Sequence, residues 1–168
     1  MLNLKIVKHD IEQWIENFVE VPHPSLGGWA PCPYARKARL DNDYDIRLGL
    51  APIHDLVQTS KKGLGGKSVV IFVYEPRDTS FKELSYAVSL CNKEFLLPND
   101  LLALEDHPDD PEIVNGVTMN QGTYALALVQ NLVDLNEKSK LVARKGFYDT
   151  WPEEYLTSLF QHREDPRK

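Results

Sequence analysis

SVVIFVY, Ser68 to Tyr74, is the segment on which the fold turns. Seven residues that are almost all β-branched or aromatic, with no polar alternation, predict a central strand covered on both faces. Glu75-Pro76 ends it. Upstream, Tyr44 to Leu50 alternates, with Tyr44, Ile46 and Leu48 on one side and Asp45 and Arg47 on the other, as a half-buried strand does. Between the two, Pro52 opens a short helix that runs to about Ser60 and turns Ile53, Leu56 and Val57 inward. Downstream, Ser80 and Glu83 form a capping box, and Phe81, Leu84, Val88, Cys91 and Phe95 follow at spacings of three and four. That spacing predicts a helix that buries Cys91. Leu101 to Glu105 is a third strand, expected beside the central one.

At the ends of the chain the pattern is helical. Ile11, Trp14, Ile15 and Phe18 mark a first amphipathic helix over residues 9 to 20, and Pro33 opens a short one over 33 to 39. From Tyr124 the face formed by Ala125, Leu128, Val129, Leu132 and Leu135 predicts a long helix to Arg144. TYALALVQ taken alone also reads as a strand, but no turn residue interrupts the run before Gly146. A last helix spans Pro152 to Phe160, and residues 161 to 168 are expected to fray. Alternating strands and helices define an α/β fold: one domain over 1 to 168 with a small sheet of three strands, or four, joined by right-handed crossovers and flanked by four to six helices.

The bulk numbers exclude several classes. At 168 residues the chain buries enough surface to need no disulfide or metal for stability. A net charge of −6 without a dense Lys/Arg face argues against duplex DNA. Met1 to Val21 carries Lys5, Lys8, Asp10, Glu12 and Glu16, too polar for a signal peptide or a membrane span, so a cytoplasmic protein with two reduced cysteines is expected. KKGLGGKS, Lys61 to Ser68, ends like a phosphate loop. The first glycine of that motif would fall on Lys61, and the segment leads into a strand, not a helix, so it reads as a turn.

Two loops carry chemistry. GGWAPCPYARKARL, Gly27 to Leu40, places Cys32 between Pro31 and Pro33 at an expected helix start, with Arg36 and Lys37 one turn on, a setting that favours a thiolate. EDHPDDPE, Glu105 to Glu112, surrounds His107 with five carboxylates at a strand end. Such a group suits acid–base chemistry or a divalent cation, although no two histidines stand at i, i+4 and no residue is assigned as a metal ligand.

Three segments together resemble an uncharacterised bacterial family, a domain of unknown function. Cys32-Pro33-Tyr34-Ala35 is similar to its Cys-Pro-Phe-Ala, His107-Pro108-Asp109 to its His-Pro-Asp, and Asn120-Gln121-Gly122-Thr123-Tyr124 to its Asn-Arg-Ser-Pro-Tyr. Gln121 replaces the family's Arg, so an anion-binding role of that Arg does not carry over. The resemblance, spread over residues 9 to 143, implies a shared pocket but no reaction and no cofactor. Two functions follow. One is a small enzyme on a small-molecule substrate, thiol-dependent or metal-assisted, with Cys32 as nucleophile or ligand, His107 as general base or second ligand, Asp109 orienting it, and Arg36, Asn120 and Tyr124 binding substrate. The other is a non-catalytic binding or adaptor domain that meets a partner protein through the Pro-rich and acidic loops, with Trp29 and Tyr34 as exposed anchors.

Overall fold

The computed structural model describes residues 1–168. In chain order its elements are α1 (Leu4–Trp14), α2 (Ala35–Leu40), β1 (Tyr44–Leu48), α3 (Pro52–Lys62), β2 (Val69–Tyr74), α4 (Phe81–Cys91), β3 (Leu101–Asp106), the short pair β4 (Ile113–Val114) and β5 (Val117–Thr118), β6 (Ala125–Asn131), α5 (Leu132–Arg144) and α6 (Glu153–Leu159). Ile15–Val19 and Asn92–Leu96 continue α1 and α4 as π-turns.

The α/β class holds, with four strands in the order β1-β2-β6-β3. β1 and β2 are parallel, and β6 runs antiparallel to both β2 and β3. Two expectations are therefore corrected. β3 is not the neighbour of β2, because β6 lies between them. Residues 125–131 are strand rather than the start of the long helix, although alanine and leucine favour helix intrinsically. Burial overrides that preference: Ala125, Ala127 and Val129 face one layer of the protein while Leu126 and Leu128 face the other, and only a two-sided strand serves both. The helix starts where Asn131 caps it, its side chain accepting from the Asp134 N–H at 2.9 Å.

The sheet sits between two layers. On one face Val70, Phe72, Tyr74, Ala103 and Val129 meet Leu56 of α3 and Leu84, Val88 and Cys91 of α4. On the other Ile46, Ile71, Val73 and Leu126 meet Val7, Ile11 and Ile15 of the first helix. Each of those three α1 side chains is nearly sealed, and burial of that kind contributes about 1.5–3 kcal/mol apiece. Cys91 is fully buried, as its helical face predicts. Phe95 is not: the π-turn inserts an extra residue, rotating Phe95 to 37% exposure and bringing Leu96 inward to 0%.

A third core, largely aromatic, joins Leu26, Val114, Phe147, Tyr148, Trp151, Leu156 and Phe160. Trp29 stacks edge-on to Phe147 there, and Tyr34 donates to the Lys138 carbonyl, so neither is an exposed anchor. Residues 161–168, expected to fray, fold back on this core: Arg163 lies over the Phe160 ring and bonds Ser139, and Pro166 is buried. In KKGLGGKS the two lysines end α3 and residues 63–68 are the turn to β2, with Lys67 and Ser68 tied back to Asn42 and Asp43.

Candidate functional site

β1, β2 and β3 all point the same way, so their carboxyl ends gather on one side of the molecule, where ligands of α/β sheets commonly bind. α1 covers the sheet only as far as β6. Over the outer strand β3 a cleft of about 630 Å³ remains. Its floor is Leu102, Leu104 and Leu128, and its rim wraps the free edge of β3 to reach Ser85 and Ser89 on α4. Trp14, Phe18 and Val19, at and beyond the end of α1, form one wall with Pro31 and Cys32. Tyr155, Ser158 and Leu159 of α6, with Gln161 and His162 after it, form another wall.

Of the six residues singled out in the sequence, Cys32, His107 and Asn120 border this one cleft. Arg36, Asp109 and Tyr124 do not. Arg36 is exposed on α2, and Tyr124 is buried beneath α1, donating to Asp10 at 2.6 Å with its phenol pushed up to about 12 by burial and by that carboxylate.

The chemistry at the three cleft residues differs from the expectation. Helix α2 starts at Ala35, so Cys32 precedes it by three residues. Burial pushes the Cys32 thiol up, opposed by the amides of Tyr34 and Ala35 and by Lys138. A depressed, thiolate-favouring pKa is thus corrected. His107 is sealed at 2% exposure, with Nε2 2.7 Å from the Thr79 carbonyl and Nδ1 accepting the Asp109 backbone N–H at 3.0 Å. Both nitrogens are occupied, which suits the tautomer protonated on Nε2 and leaves none to take a proton from Cys32. Asp109 positions the ring through its amide, while its carboxylate stands 4.0 Å off and largely exposed. Asn120 fastens the acidic loop: its Nδ2 donates to Asp106 and to the His107 carbonyl, and its Oδ1 accepts from the Glu112 N–H. Its amide is spent on the loop.

What remains available is acidic. Glu105, Asp106, Asp110 and Glu112 border the cleft, and no Lys or Arg does. Burial pushes Glu105, Asp106 and Glu112 up; Ser85 opposes this at Glu105, Gln121 and Asn120 at Asp106, and Tyr155 at Glu112. No group of three or more His, Cys, Asp or Glu side chains is arranged to hold a metal ion.

Sequence reasoning missed Asn92. Placed by the π-turn after α4, its carboxamide donates to the Ala103 carbonyl at 2.9 Å and accepts the Ala103 N–H at 2.8 Å, closing the outer edge of β3 at the cleft rim. No local pattern announces it. Asn115-Gly116, by contrast, is a readable signal: both residues have positive φ between β4 and β5, the two-residue hairpin that Asn-Gly favours. Asn115 then ties the Ser25 and Thr150 carbonyls together.

Comparison with protein-family models, curated proteins and solved structures finds no match.

Proposed function

We propose that this chain is a binding domain whose cleft takes a small organic cation with an apolar body. The observation that carries the reading is the lining: four carboxylates, no Lys or Arg, and an aromatic wall of Trp14 and Phe18. An ammonium or guanidinium group is attracted both by carboxylates in a partly dry site and by aromatic faces. The leucine floor suits the apolar remainder of the ligand. Anions are repelled by the same lining.

A second reading keeps Cys32 as a nucleophile, supported by its sharing the cleft with His107 and Asn120. The raised thiol and the occupied imidazole weigh against it. The binding reading is tested by titration calorimetry with phenethylamine and, in parallel, phenylpropionate. The amine is expected to bind, more weakly at high salt and in Glu112→Gln, and the acid is expected not to. Equal binding of the two, or no binding of the amine, overturns the reading.

A further inference from the structure

The segment after α6 is attached differently from the helix before it. Leu156 and Phe160 are buried in the aromatic core. Beyond Phe160 Pro166 is buried and Arg163 and Arg167 lie over the Phe160 ring, while two ion pairs, Lys140 with Glu164 and Arg167 with Glu153, hold the segment to α5 and α6. Exposed ion pairs of this kind are weak and screened by salt. Arg163, half-buried at the seam, is incompletely satisfied. Its guanidinium bonds the Ser139 hydroxyl at 2.8 Å and lies 4.8 Å from the Phe160 ring centre, but its buried Nε has no partner. An unmet buried donor raises the cost of keeping this seam closed.

The same segment contributes Gln161 and His162 to the cleft. We propose that residues 161–168 are a releasable strap: undocking at the α5 seam removes part of one wall and opens the cleft, and redocking encloses what is bound. This rests on the cleft being the binding site. It is independent of the ligand's charge, because it is tested without a ligand.

Cys32 borders the cleft, whereas Cys91 is sealed beneath α4. The two thiols therefore separate strap release from unfolding. The full chain and a chain ending at Phe160 are labelled with N-ethylmaleimide under native conditions, and each cysteine is followed by peptide mass spectrometry. Cys32 should label about tenfold faster in the shortened chain while Cys91 keeps its rate. In the full chain, Lys140→Glu, which sets two carboxylates against each other across the seam, should accelerate Cys32 in the same direction. An unchanged Cys32 rate in either variant overturns the proposal. So does parallel acceleration of Cys32 and Cys91, which would make the segment a structural brace. Neither result bears on whether the cleft prefers cations.

Discussion

Replacing Asn92 with alanine removes both hydrogen bonds that close the outer edge of β3. Asn92 is 6% exposed and Ala103 1%, so the substitution strands a buried N–H and a buried carbonyl. Each such group costs about 1–3 kcal/mol when left unpaired. Because the clamp borders the cleft, water can reach part of the gap, which places the expected loss near the middle of the summed range, about 3 kcal/mol. For a chain of this size that corresponds to a fall in Tm of roughly 6–12 °C. Urea denaturation followed by circular dichroism measures it directly. Asn92→Asp is the informative companion, since a carboxylate still accepts from the Ala103 N–H but cannot donate to its carbonyl, and should recover little. A loss under about 1 kcal/mol for Asn92→Ala would refute the reasoning, because a clamp worth so little leaves the edge strand held by β6 alone.

Two further outcomes are expected. Gly49→Ala should destabilise by about 1–3 kcal/mol by the same denaturation assay, because its Cβ would clash with the Tyr74 ring, whose hydroxyl is anchored on Asp55; wild-type stability would show that the ring can move aside. Stability should also depend on pH in two stages. Glu105, Asp106 and Glu112 are raised in the folded chain, so their contribution is fully present below their unfolded values and is lost as pH rises through their folded ones. Glu20, beside Arg39, and Asp165, held at about 2 beside Arg167, are lowered, and their contribution is lost as pH falls through their folded values. Tm should therefore rise as pH drops from neutral into the upper carboxylate range and fall at stronger acidity; a monotonic decline from pH 7 would contradict the raised set.

The parts of the fold that depend on local pattern were legible. Val69–Tyr74, the Ser80–Glu83 capping box and the buried face of Cys91 need only composition and spacing. Ala125–Asn131 was ambiguous for a physical reason: its alanines and leucines favour helix, and only the two layers on either side make a strand of it. The Asn131–Asp134 cap was the overlooked mark of where strand gives way to helix. At the site, proximity in the sequence identified the Cys32 loop and the acidic loop, whose residues meet in one cleft. Their roles were not legible, because both partners of His107 and, apart from the Asp106 carboxylate, those of Asn120 are backbone groups that leave no trace in residue type.

The position of β6 also governs the order of assembly on the ribosome. β1, β2 and β3 are all made before it, yet β3 has no strand neighbour until residues 125–131 are inserted beside it. A nascent chain that stops after Asp106 can pair β1 with β2 but leaves β3 unpaired and the inner edge of β2 open. Completion of the sheet is consequently a late event in synthesis, and the interval before it is when this chain most needs protection from association through its strand edges.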